Sequence, residues 1–164
     1  MARAGADVVL CQHTHCIGCY EEYEGSHILY GQGNFHFLGL PDLECWFTGL
    51  AVEYDTASHE INFVPIRALE DGITLAKGED KENIMADFEK RGEELKSGEW
   101  KNRWEEFAKS VMGAYCDQIA KLGTPGLSEN DRLALGHYID CESHQDVLRV
   151  AFKSWNFTNC IDED

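Results

Sequence analysis

The chain has 164 residues, of which 30 are acidic and 14 basic, giving a formal net charge of −16. Such a surface repels nucleic acid and anionic lipid, which excludes both as partners unless a bound metal inverts the charge locally. Its apolar fraction of 43 %, with four Trp, six Tyr and eight Phe, suffices for a core and excludes a disordered chain.

In chain order, residues 7–11 come first: an aspartate followed by the continuous run Val8-Val9-Leu10-Cys11, which predicts a short strand buried on both faces. Residues 19–24 and 26–30 flank Gly25 as a hairpin that ends in the glycine loop Gly31-Gln-Gly33. A second strand pair is predicted over 46–54 and 60–66, joined by Asp55-Thr-Ala-Ser-His59. The period then changes. Ile84, Phe88 and Leu95 mark a helix from about Asp80 to Gly98, and Trp100, Trp104, Phe107, Val111 and Tyr115 mark another that stops by Gly123 and Pro125. Ser128-Glu-Asn-Asp131 predicts a capping box opening a helix through Tyr138 and Ile139. Ser143-His-Gln-Asp146 repeats that signal before the stripe Val147, Leu148, Ala151, Phe152 and Trp155, and a frayed tail is expected at Asp162-Glu-Asp164. The fold class is therefore α+β, with mostly antiparallel strands in the first 70 residues and helices after them.

No run approaches the ~20 apolar residues of a membrane span, and the N-terminus lacks the apolar segment of a signal peptide. Seven scattered cysteines, an odd number, point to reduced thiols in a reducing compartment. A cytoplasmic chain is the expectation.

The chemistry concentrates in Cys11-Gln-His-Thr-His-Cys-Ile-Gly-Cys19. If the first strand runs on extended, His13 and His15 stand at i and i+2 on one face, where two imidazoles converge on a metal beyond a strand end. Taken alone, a His-x-His pair is more often a loop or core feature than a pair of ligands. Cys16 and Cys19, a Cys-x-x-Cys, offer a compact structural zinc module with the two histidines, although four ligands within seven residues wrap one ion poorly. Elsewhere the readings are bland: His27 as a cross-strand pair member, His36 as a solvent-facing strand residue, and His59 in a turn. His144 reads as a residue beside a helix cap, and Trp100 and Trp104 as core. Cys45, Cys116, Cys141 and Cys160 read as buried thiols. The carboxylates between Glu89 and Glu106, interspersed with lysine and arginine, read as a solvated helix face.

Gly5-Ala-Asp-Val-Val-Leu-Cys-Gln-His-Thr-His15, followed by Tyr23-Glu-Gly-Ser-His-Ile-Leu-Tyr-Gly-Gln-Gly-Asn-Phe-His-Phe37, resembles the C-terminal signature of the poly-γ-glutamate capsule-biosynthesis (CapA-type) family. The resemblance implies a metallophosphatase-like sandwich related to calcineurin-type phosphoesterases, of which residues 1–70 would be the C-terminal portion and 71–164 a helical extension packing on it. It further implies that His13 and His15 bind metal, with Asn34 near the site in the glycine loop. Gln12 stands where the family has the first of three histidines, and Cys11 and Thr14 also depart from its pattern. One or two divalent ions, manganese, iron or zinc, are implied as cofactors, hydrolysing a small phosphate-containing substrate. The remaining ligands in that family come from an N-terminal half, so the chain is expected to be an incomplete C-terminal part. A half-sandwich leaves apolar surface uncovered, which makes self-association or pairing with that missing half the expected partnership. The alternatives are a non-catalytic metal-binding or partner-associating remnant and the small zinc module.

Overall fold

The computed structural model describes residues 1–37 and 43–152. The chain is α+β and divides into two compact units, Met1–Glu99 and Trp100–Asp164.

In the first unit a 3₁₀ turn, Ala2–Ala4, precedes β1 (Val8–Leu10), and β2 (Tyr20–Tyr23) and β3 (Ser26–Leu29) form the predicted hairpin. These strands make a sheet in the order β1-β3-β2, with β1 parallel to β3 and β2 antiparallel to it. As an edge strand β1 is not enclosed on both faces. Leu10 is 41 % exposed, which corrects the buried strand expected from its apolar run. A second 3₁₀ turn, Glu44–Phe47, leads into an antiparallel meander of β4 (Thr48–Tyr54), β5 (Ile61–Leu69) and β6 (Gly72–Leu75). The last strand was not expected. Leu69 pairs with Gly72 across a two-residue connection, Glu70-Asp71.

The glycine loop joins the two sheets. Ile17 bridges to Gln32 and Gly33 to Gly49, Leu50 N–H donates to Gln32 O at 2.7 Å, and Asn34 N–H donates to Thr48 O at 3.2 Å. Close approach of backbone to backbone requires the missing side chains. A Cβ on Gly33, at φ 73°, would lie 2.5 Å from Thr48 O. On Gly18 it would lie 2.7 Å from the Tyr30 carbonyl carbon.

Helix α1 (Gly78–Ser97) lies against β2 and β5. Glu79 and Asp80 in its first turn suit the positive end of the helix dipole, and Gly98, at φ 77°, ends it. Its Ile84 and Phe88 join Ile17, Leu29, Leu50 and Ala76 in one core, flanked by Tyr20, Val52, Phe63 and Met85. Phe63 meets Phe88 edge-on at 4.9 Å and Tyr20 at 5.0 Å. Arg91 also donates to Ile17 O at 2.9 Å, so the helix fixes the backbone just beyond the histidine stretch.

The second unit contains α2 (Trp100–Ala120), a 3₁₀ turn (Lys121–Gly123), α3 (Glu129–Asp140) and α4 (Glu142–Ala151). Ala108, Tyr115 and Val147 form its core, with Trp104, Val111, Tyr138 and Leu148 against it. Trp104 thus packs as expected, whereas Trp100 is 44 % exposed. The predicted capping box is present: Asp131 N–H donates to Ser128 Oγ at 3.1 Å, and Ser128 N–H donates to Asp131 Oδ2 at 3.3 Å. Ser128→Ala is expected to cost about 1 kcal/mol, measurable by urea denaturation followed by circular dichroism. The Ser128 hydrogen bonds hold the Asp131 carboxyl below its usual range, so this cap contributes above that range and is lost as pH falls through the depressed value. The second predicted cap is corrected. Cys141, extended at φ −79° and ψ 121°, precedes α4, and Ser143 lies inside the helix. Trp155, Cys160 and the acidic tail lie outside the described residues.

Candidate metal-binding site

The backbone leaves the sheet after Leu10, with Cys11 N–H still donating to Leu29 O at 2.8 Å. It does not continue extended. His13 has φ 87° and His15 φ 58°, both in the left-handed region, at a cost of roughly 1–2 kcal/mol per residue. The two side chains therefore converge through a turn rather than through period-2 alternation, and their ring centroids lie 6.0 Å apart. Thr14 Oγ1 closes the turn by donating to Cys16 O at 2.9 Å.

His15 is the anchored member. Its ring stacks on Trp46 at 4.5 Å and lies 5.0 Å from Phe37. Its Nδ1 lies 2.9 Å from Asn34 Oδ1. Asn34 is buried, at 5 % exposure, and its Nδ2 donates to Trp46 O at 2.9 Å. That second bond orients the amide: the oxygen faces His15, so Nδ1 must donate, and in the neutral ring the lone pair is left on Nε2. A ligating histidine held by an outer hydrogen bond on its other nitrogen has this form. His13 is exposed. Metal–nitrogen bonds of about 2.0–2.1 Å put two coordinating imidazole centroids roughly 4.5–5.5 Å apart, against the 6.0 Å between His13 and His15.

Gln12 donates to Gln32 Oε1, and Gln32 Nε2 donates to Leu50 O at 3.1 Å. Gln12, Gln32, Asn34 and Phe35 line a cleft of about 310 Å³ with Leu50 and Ile66. The structure thus brings Asn34 to His15, and Gln12 to Asn34 across the cleft, while the histidines lie outside the cleft lining. Trp46 could not be assigned from sequence. Its Nε1 is buried with no acceptor among the described residues, an arrangement that costs about 1–3 kcal/mol. The turn that carries Trp46 is held by Arg67, which pairs with Glu44 on that turn and with Asp80 of α1, the latter at 3.3 Å.

The cysteines arrange themselves differently from a Cys-x-x-Cys module. Cys16 Sγ lies 3.3 Å from Cys45 Sγ, on the Trp46 turn, and not against Cys19. Burial first, then the Cys45 contact, pushes the Cys16 thiol up to about 11, and burial raises Cys19 as well. Both are thiols at neutral pH and poor nucleophiles. His27 and His59 are structural: His27 Nδ1 lies 2.7 Å from Tyr20 Oη and its Nε2 3.0 Å from His59 O, while His59 Nδ1 meets Tyr54 Oη at 2.6 Å. His36 is exposed but lies in a bend rather than a strand.

The profile of a family described as bacterial capsule synthesis protein PGA_cap matches residues 1–38, a range that contains His13, His15 and Asn34. This part of the chain is similar to the capsule-synthesis, CapA-type family. No curated protein and no solved structure matches the chain significantly. Among the described residues no helix is long and apolar enough to cross a membrane.

Proposed function

We propose that the chain contributes His13 and His15 to a divalent-metal centre of a CapA-type capsule-synthesis protein with metallophosphatase-like chemistry. The observation that supports this reading is the Trp46–Asn34–His15 relay, which leaves the lone pair of His15 Nε2 available to a metal. His13 and His15 would help hold a divalent metal, which when bound would supply an activated water and neutralise charge on a phosphoryl group. In this reading His15 is held in place by Asn34 and Trp46, the exposed His13 swings to complete the pair, and Gln12 and Gln32 offer amides to a polar group in the adjoining cleft. Two imidazoles do not make a dinuclear site, so the phosphate-ester hydrolysis belongs to the complete ligand set and this chain supplies part of it.

Manganese is the suitable probe, because it prefers nitrogen and oxygen donors to thiolate. Titration followed by the electron paramagnetic resonance signal of free Mn²⁺ is expected to show binding to the wild-type chain. For His13→Ala combined with His15→Ala it is expected to show roughly a 100-fold or greater loss of affinity. Equal affinity in the two proteins removes the proposal.

A further inference from the structure

The second unit carries a different constellation. His137 in the last turn of α3, Cys141 in the extended hinge between the helices, and His144 in the first turn of α4 each offer a ligand atom, and these atoms all lie within 4.8 Å of one another. From sequence His144 reads as a residue beside a helix cap and Cys141 as a buried thiol; the structure brings both to His137. Cys141 N–H closes on His137 O at 2.9 Å, which turns the chain so that residues on either side of the hinge face one point. The rings of His137 and His144 meet edge to face at 5.0 Å.

We propose that His137, Cys141 and His144 form a zinc site that staples the α3–α4 corner, independent of the histidine pair at 13 and 15. Two imidazoles and one thiolate are a borderline-soft donor set that suits Zn²⁺. Bond lengths of about 2.0–2.1 Å to nitrogen and 2.3 Å to sulfur put tetrahedral donors roughly 3.3–3.6 Å apart, so the cluster needs a contraction of up to about 1.5 Å, within reach of side-chain torsions. On binding, Cys141 gives its thiol proton to solvent and donates an electron pair from Sγ. The zinc remains Zn²⁺. His144 Nδ1 lies 2.5 Å from Tyr115 Oη. When Nδ1–H donates to that oxygen, the lone pair sits on Nε2, and Tyr115 orients the ligand as an outer hydrogen-bond partner does at metal sites. His137 is exposed, so the fourth position faces solvent and takes water or an external donor.

Cobalt(II) reports thiolate ligation through a sulfur-to-metal charge-transfer band in the near ultraviolet, and Zn²⁺ competes it away. The wild-type chain is expected to give that band at one equivalent, and zinc is expected to raise its Tm by several degrees. Cys141→Ser is expected to abolish the band, whereas Cys16→Ser with Cys45→Ser leaves it unchanged. His137→Gln, at an exposed position where folding is not at stake, is expected to weaken cobalt binding roughly 10- to 100-fold. A wild-type chain without the band, a band that survives Cys141→Ser, or an unchanged titration for His137→Gln would each overturn the site. Neither the band nor the His137→Gln titration depends on manganese binding at His13 and His15, so the two proposals fail separately.

Discussion

Gly33→Ala is expected to destabilise the first unit by about 3 kcal/mol, lowering its Tm by roughly 10–20 °C. Two effects add. The residue sits at φ 73°, where a Cβ costs roughly 1–2 kcal/mol. That Cβ would also stand 2.5 Å from the Thr48 carbonyl oxygen. Relief means parting the loop from β4, and with it the bonds of Asn34 N–H to Thr48 O and Leu50 N–H to Gln32 O, each worth about 1 kcal/mol. Gly25→Ala is the control. Gly25 has φ 82° with nothing within 4 Å of its would-be Cβ, so it carries the torsional cost alone. Thermal unfolding of both variants decides the matter: equal losses would show that the close approach of the sheets contributes nothing.

Asn34→Leu is expected to lose about 2–3 kcal/mol of stability and, on the proposed function, roughly 10- to 100-fold in Mn²⁺ affinity. Leucine fits the volume but leaves the Trp46 carbonyl without its donor and His15 Nδ1 without its acceptor, both bonds being 2.9 Å in the native chain. Freed of Asn34, the imidazole can place its proton on either nitrogen and its ring in several rotamers. Asn34→Asp separates the two losses. It keeps an acceptor for His15 while removing the donor to Trp46, so stability is expected to fall with manganese affinity nearer the wild type. If Asn34→Leu and wild type bind manganese equally, Asn34 has a packing role only.

The hairpin β2–β3, the β4–β5 pair and the start of α3 were legible because each is governed by local chemistry: Gly25 in a turn, Asp55 at another, Ser128 at a cap. Strand β6 was missed although Asp71-Gly72 is a turn signal, because Gly72–Leu75 is only four residues long, too short for the alternation of Ile73 and Leu75 about Thr74 to stand out. The histidine pair was found by residue type and by resemblance, but its geometry was not. Alternation applies only while the backbone stays extended, and nothing in Cys11-Gln-His-Thr-His15 announces two left-handed residues. Trp46 was invisible as part of the site because its role depends on a bridge between sheets. The spacing His137-x₃-Cys141-x₂-His144 was present in the sequence. It gained meaning only from the hinge at Cys141, which brings ligands from two helices to one point.

The bridge from Gly33 to Gly49 also bears on the order of folding. The hydrogen-bonded groups of the His15 relay, with Gln12 and Leu50, come from one continuous stretch, joined by the short closures Ile17 to Gln32 and Gly33 to Gly49, while Arg67 and Asp80, further along the chain, brace the Trp46 turn. Loop-closure entropy grows slowly, by about 0.6 kcal/mol per doubling of length, and contacts of short sequence separation form early. The relay is therefore expected to assemble as soon as Leu50 is available, with α1 arriving afterwards to close the core over it through Ile84 and Phe88. During synthesis on the ribosome, the histidine turn would be set before the helical second unit has been made.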